Sequence, residues 1–521
     1  MSLKTGGHTT GNSPDYFDYL WVRIQDNATV SIITDPVADP QSVFRVANKI
    51  TMEGAGNFYG TNIKIIATDI TLDFGATLHT DALGYRPEDP QTATVNRGIG
   101  TTSTGGSSGA GYGGSSGKGA GTTLTGQPYG HLFQPYEIGS GGGGGHNIGG
   151  QGGGKLYIEV SGHLMVDGEI RSDGGDAKAS YGGGGSGGTI LIDTYEFRGM
   201  GNITARGGGR YVGGIGGGGA GGRIAIYFRQ NVTYWGKYMC HGGNSEGSAE
   251  PGGPGLVFIY NVEENHSTLY INNDNLQTTD DVNLIRDYTD ISQDRFKAWI
   301  MPTSSVHWLA GGNSAYSFDE LQIYGNAHLA LLPDPYINGC TLDFKHMIGD
   351  RTGYIHIGPY QVMDLNRYFL DTPFSSYVYD GGYLGLAPET YLESVFVHVE
   401  GTVDHIHNLT LIQGGGLRLY KTGSTNSRSP LTYVIEGKTV VKAESYINCS
   451  NPNADTDSYE LTFGWVIIEG GGLLKGGNLH IMATDFTIDD GGSIDVGNGG
   501  YRPDDGPGRS LMCCVTYIQE V

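Results

Sequence analysis

The sequence predicts an all-β chain: a right-handed parallel β-helix (β-solenoid) with glycine-rich stacked loops. Three observations carry that expectation. Glycine supplies 91 of the 521 residues, and most lie in one stretch where glycine runs alternate with strand sequence. Inside that stretch a pattern recurs at a fixed step. Within each repeat, apolar residues alternate with polar ones, the period of a strand with one buried face.

Three segments show the repeat: residues 155–175 (KLYIEVSGHLMVDGEIRSDGG), 189–209 (TILIDTYEFRGMGNITARGGG) and 223–243 (RIAIYFRQNVTYWGKYMCHGG). They open on Leu156, Ile158 and Val160; on Ile190 and Ile192; and on Ile224, Ile226 and Phe228. The first two add a second apolar patch (Leu164 and Val166; Phe197), a glycine corner and a third strand at Ile170 and Ile203. The step is 34 residues both times, from 156 to 190 and from 190 to 224. A fixed step of this size means stacked supersecondary units. Three short strands joined at glycine corners make one β-helix turn, which buries its apolar ladder against the turns above and below. The glycine runs at 182–188 and 213–222 leave each turn as excursions. They are read as loops that stack in extended polyglycine conformation, not as disordered linkers. Glycine is expected there because the backbone bends through positive φ or approaches another backbone closely.

A longer repeat joins the two ends. Residues 62–89 match residues 478–505 at an offset of 416, sharing the strings ATD and GYRP, and Glu53-Gly54 maps onto Glu469-Gly470. The chain thus holds one full period and the opening of the next, as a unit of a tandem array would. Residues 509–521 leave the match, so Cys513 and Cys514 are not read as a functional pair.

The organisation expected along the chain follows from composition. Residues 1–92 are a β-rich segment, the first copy of the long repeat. Residues 93–154 are a Gly/Ser/Thr-rich insertion with an aromatic island at 129–139. Residues 155–260 are the glycine-rich solenoid turns, residues 261–460 a further β-solenoid or β-sandwich segment, and residues 461–521 the second copy's start. Residues 280–299 are the best helical candidate and are weak as one.

A net charge of −23 argues against nucleic acid and anionic membranes as partners. No apolar run approaches transmembrane length. The first twenty residues lack the charged and apolar parts of a signal peptide. Read literally that places the chain in the cytosol; read with the long repeat, it implies an N-terminus further upstream. The cysteines Cys240, Cys340, Cys449, Cys513 and Cys514 show neither metal spacing nor a disulfide framework.

Chemistry-bearing motifs are sparse. N-glycosylation sequons occur at Asn27, Asn202, Asn231, Asn265, Asn408 and Asn448, where chance alone supplies roughly four in a chain this rich in Ser and Thr. The Ser/Thr-rich residues 101–125 are a candidate for O-linked sugar. Asp404-His405-Ile406-His407 sets two imidazoles on one strand face, a metal-chelating spacing, but with no third ligand it is read as a solvated face. The acidic turn at 272–281 is the one Ca²⁺ candidate; it lacks EF-hand spacing and is read as an ordinary polar turn. No cofactor, metal site or catalytic residue is assigned. The densest mixed-charge cluster is Asp343, Lys345, Asp350 and Arg351, the arrangement a β-helical polysaccharide lyase would use and equally a charged turn.

Residues 136–228 resemble a known family. The pieces at 182–192 (GGGGSGGTILI), 199–208 (GMGNITARGG) and 217–227 (GGGAGGRIAIY) are similar to the glycine-rich β-solenoid segments of large extracellular surface and cell-wall proteins, with related architectures in algal flagellar hairs (mastigonemes). The resemblance covers about a fifth of the chain. It implies an extracellular structural or adhesive role, a β-helical fold and no catalytic residues. The expected function is a structural subunit of an extracellular filament, fibre or coat, with copies of itself and glycans as partners. The alternatives are a carbohydrate-binding adhesin and a polysaccharide lyase or hydrolase.

Overall fold

A computed structural model describes residues 2–4, 16–33, 41–87, 107–121, 125–144, 148–276, 297–300, 314–331, 340–365, 371–420, 431–449, 458–477, 479–496 and 516–518. Among them there is no helix, and the strands gather into large, almost entirely parallel sheets. The chain forms two compact units, Met1–Val306 with Tyr324–Leu332, and His307–Ile323 with Pro333–Val521.

In the first unit one sheet runs Tyr16–Ile24, Ser42–Met52, Asn62–Leu72, Lys155–Val166, Thr189–Gly199, Arg223–Tyr234 and Leu256–Asn261, all parallel. His266–Asn272 then folds back antiparallel. A second parallel sheet runs Ser2–Lys4, Thr29–Ile33, Asn57–Gly60, Thr77–His79, Glu169–Arg171, Asn202–Thr204 and Lys237–Met239. The 34-residue step is the pairing register itself: Leu156 lies beside Ile190, and Ile190 beside Ile224. Ile63 and Val257 extend this row, and all five side chains are fully buried. Burying one such aliphatic side chain is worth about 1.5–3 kcal/mol, so each strand is held by its neighbours.

Two expectations change. Each repeat has two strands, not three: the first two apolar patches merge into one long strand kinked at a register shift, between Thr194 and Glu196 against Lys155–Val166. The bulge takes up the extra residue and returns the following apolar side chains to the buried face. The 93–154 insertion packs inward where it is described: Tyr112 and Leu132 are fully buried, as are Ser107, Ser115 and Ser116, which closes these serines to O-linked sugar. Of the helical candidate, residues 280–296 lie outside the described residues; Lys297–Ile300 is a strand paired with His328–Leu331.

The second unit holds three parallel ladders. One joins Ser314–Tyr324, Cys340–Gly349, Gln361–Asp364, Tyr383–Gly385 and Thr402–Asp404. Another joins Gly353–Ile357, Phe374–Val378, Phe396–Val399, Gly416–Leu419, Tyr446–Cys449, Leu473–Gly476 and Ser493–Asp495. The third joins Glu389–Glu393, Asn408–Ile412, Leu431–Val441, Tyr459–Ile468, Leu479–Ile488 and Thr516–Ile518.

Candidate functional site

The glycine runs of the first unit form an ordered lattice. In residues 183–188 the backbone N–H groups point in three directions in strict rotation. Gly183 and Ser186 donate to the carbonyls of Gly143 and Ser140; Gly184 and Gly187 to Gly217 and Ala220 in the next run; Gly185 and Gly188 to Gly175 and Ser172. The next run repeats the scheme. Gly217 and Ala220 bond Ser107 and Ala110, Gly218 and Gly221 bond Glu250 and Gly253, and Gly219 and Gly222 bond Gly208 and Ala205. A donor direction that recurs every third residue is the signature of the extended threefold helix, which makes no internal hydrogen bonds and must find partners around it.

Sterics explain why glycine is required. None of residues 182–188 sits in the left-handed region, so backbone bending through positive φ is not the reason. Close approach is: a Cβ on Gly184 would lie 1.9 Å from the Gly208 carbonyl oxygen, and one on Gly219 2.0 Å from that of Gly185. The aromatic island braces the lattice. The Tyr129 carbonyl accepts from Nε of the fully buried Arg223 at 3.0 Å, and the Phe133 carbonyl accepts from the Tyr227 hydroxyl at 2.5 Å.

A row of aspartates staples successive turns, a feature the sequence reading missed. Each Oδ1 accepts a backbone N–H from the adjoining turn: Asp69 from His163 (2.9 Å), Asp81 from Asp173 (2.9 Å), Asp167 from Met200 (2.9 Å), Asp173 from Arg206 (2.7 Å) and Asp176 from Gly209 (2.7 Å). Arg206 also grips Asp173 Oδ2 through Nε (3.0 Å) and Nη2 (2.6 Å), and Arg171 Nε holds Asp81 at 2.8 Å. Burial and the neighbouring Asp173 carboxylate push the Asp81 carboxyl up. At Asp69, burial opposes the shift but the hydrogen bonds from His163 outweigh it and hold the carboxyl down. Much of the acidity at these corners is therefore structural. The sequence signal is faint, because the acceptor and donor lie a full turn apart.

An open groove of about 470 Å³ runs along the kinked strands, lined in part by Arg45, Glu159, Asp193, Tyr195 and Arg229. Its charges are mutually committed: Lys64 meets Glu159 at 2.6 Å, and Arg229 bonds Asp193. Burial and the Glu159 carboxylate raise the neighbouring Tyr157 hydroxyl to about 12.

The sequence candidates fare unevenly. Asn27 and Asn265 are exposed, each in a left-handed turn position (φ 66° and 50°). Asn202 and Asn448 are half-buried within strands. Asn408 is engaged on both sides, its amide nitrogen donating to Glu389 and its oxygen accepting from Lys438 N–H at 2.6 Å. Asn231 lies in Arg223–Tyr234, with its side chain outside the described residues. His405 and His407 do not share a strand face. The strand ends at Asp404, His405 turns through φ 70°, and its Nε2 meets the Tyr383 hydroxyl at 2.9 Å. Of the acidic turn at 272–281, residues 277–281 lie outside the described residues; Asn272 Oδ1 caps the Asp274 N–H at 2.8 Å. The two cations of the Asp343 cluster have carboxylate partners outside it: Lys345 pairs with Asp319 at 2.6 Å, and Arg351 with Asp371 (2.9 Å) and Glu393 (2.8 Å). Among the described residues no three His, Cys, Asp or Glu side chains converge as a metal site would need. Cys240 and Cys449 are buried, and burial raises the Cys449 thiol to about 12. Cys340 has its side chain outside the described residues, and Cys513 and Cys514 lie outside them altogether.

Among the described residues no helix is long and apolar enough to cross a membrane. Comparison with protein-family models, curated proteins and solved structures finds no match to this chain.

Proposed function

We propose that the chain is a structural subunit of an extracellular filament or coat, coiled as a right-handed β-solenoid with glycine-rich stacked loops and assembled from copies of itself. The observation that carries this reading is the glycine lattice. Its backbone groups are spent on one another in three directions, which makes a stiff, closely packed body with little side-chain chemistry on offer. Parallel strands joined by crossovers favour the right-handed sense. N-glycans are assigned to Asn27 and Asn265, whose exposed turns leave room for sugar. The family resemblance in residues 136–228 supports the extracellular placement. Electron microscopy and fibre diffraction of the native material test the proposal. It expects filaments with an axial strand spacing of about 4.8 Å; isolated compact particles alone would reject it.

A second reading, a carbohydrate-binding adhesin, draws on the tyrosine-flanked groove beside Glu159 and Asp193. Saturable binding of an oligosaccharide, lost in Tyr195→Ala, would favour it. Nothing favours the lyase reading, since Lys345 and Arg351 are committed to carboxylates.

A further inference from the structure

Three neighbouring strands of the first unit, Tyr16–Ile24, Ser42–Met52 and Asn62–Leu72, run into matching corners at residues 25–28, 53–56 and 73–76. Each corner is closed by a backbone bond: Ala28 N–H to the Gln25 carbonyl (2.9 Å), Gly56 to Glu53 (3.0 Å) and Ala76 to Asp73 (3.0 Å). Ile24 pairs with Met52 and Met52 with Leu72; beyond the corners Thr29 pairs with Asn57 and Asn57 with Thr77. The corners therefore stack in register. Asp26, Gly54 and Phe74 form one row, and Asn27, Ala55 and Gly75 the next. Asn27 is the exposed sequon assigned a glycan above, and Phe74 is 88% exposed.

The long repeat shows that the fold does not need this ring. At the offset of 416, Asp490 stands in the place of Phe74. The turn is unchanged: Gly492 N–H bonds the Asp489 carbonyl at 2.8 Å, and φ is 85° at Gly491 against 86° at Gly75. The place of Asn27, set by the pairing of Val441 with Ile468, belongs to Glu444, with φ of 65° against 66°. Sequon and ring thus occur together at one set of corners. At the other set both are replaced by carboxylates.

We infer that Phe74 is the platform on which the Asn27 glycan rests: its first sugars lie back over Gly54 and Ala55, and a pyranose ring stacks its C–H face on the phenyl ring. This rests on the glycan assigned to Asn27 above. Two strand spacings put Phe74 about 10 Å from Asn27, a gap that the asparagine side chain and two pyranose rings span. Between them Gly54 and Ala55 are exposed and small, and the Glu53 carboxylate beside them is held by Arg23 at 2.7 Å and by Gln25. The electron-rich face of an aromatic ring attracts the C–H groups on one face of a sugar. A glycan held this way covers the corner instead of sweeping through solvent.

The test uses the full chain secreted from a eukaryotic host behind a cleavable leader, with glycopeptide mass spectrometry reading Asn27. Release of that glycan from the folded chain by a peptide N-glycosidase is then timed. Phe74→Ala and Phe74→Leu should release it several-fold faster than the native chain, and Phe74→Trp no faster. Release at Asn265 should stay the same throughout. Upfield ring-current shifts of pyranose C–H protons, lost in Phe74→Leu, are the second expected readout. Equal release rates on a glycosylated Asn27 would overturn the platform while leaving the glycan assignment standing. Matching acceleration at Asn265 would mark a general loosening and overturn it too. An unmodified Asn27 in the secreted chain would overturn both the platform and the assignment.

Discussion

Residues 148–255 and residues 371–496 both lay parallel strand on parallel strand, but glycine does different work in each. In the first region it is dictated by crowding: at Gly184 and Gly219 another chain segment's carbonyl oxygen occupies the space a Cβ needs. In the second, crowding recurs at single positions such as Gly415 and Gly464, and a further set of glycines serves tight turns. Gly381, Gly414, Gly471 and Gly491 have φ between 78° and 85°, and each is followed by a residue whose N–H closes a turn, such as Gly415 to Ile412 at 2.9 Å. A lattice glycine is defined by its neighbours in space and a turn glycine by its own backbone angle, so the same residue type predicts different sensitivities.

The largest expected effect is at the lattice. Gly184→Ala should cost at least about 3 kcal/mol, because backbone on both sides must move. Gly414→Ala should cost only about 1–2 kcal/mol, since its φ of 85° is strained for alanine but nothing lies within 4 Å. Urea unfolding midpoints compare the two, and equal costs would erase the distinction. Next come the aliphatic ladders, which both regions share. Ile190→Ala and Leu417→Ala remove side chains that are 0% and 1% exposed and should each cost about 2–5 kcal/mol. A large disparity would mean that the second region's ladder is not a core. Smaller still, Asp173→Ala should cost about 1–3 kcal/mol by orphaning the Arg206 N–H and guanidinium, readable as a shift in thermal midpoint.

The mildest effect is on titration. Asp69, held below the ordinary carboxylate range, contributes stability that is present above its unfolded pKa and lost as pH falls through its folded value. Asp81, pushed up, contributes stability that is present below its unfolded pKa and lost as pH rises through its folded value. Carboxyl NMR titration should place Asp81 above Asp69, and the reverse order would contradict the staple geometry.

The alternation at Leu156, Ile190 and Ile224 makes strands, register step and parallel stacking legible in the sequence, because an apolar ladder writes itself into local sequence. The merger of two patches into one kinked strand was not legible: a bulge changes the register by a residue without changing composition. The roles of Arg223 and Tyr112 stayed hidden for another reason. Their partners, Tyr129 and Thr189, lie 94 and 77 residues away, and only the fold brings them together. Asn27 and Asn265 stood out as sequons, but their advantage over Asn408 rests on turn geometry and on the Glu389 and Lys438 contacts.

Native-state hydrogen exchange tests the central claim most directly. If the runs at 183–188 and 217–222 are a hydrogen-bonded lattice, their amides should be protected as strongly as those of the adjoining strand Thr189–Gly199. Exchange at the rate of an open glycine loop, with the strand still protected, would contradict it.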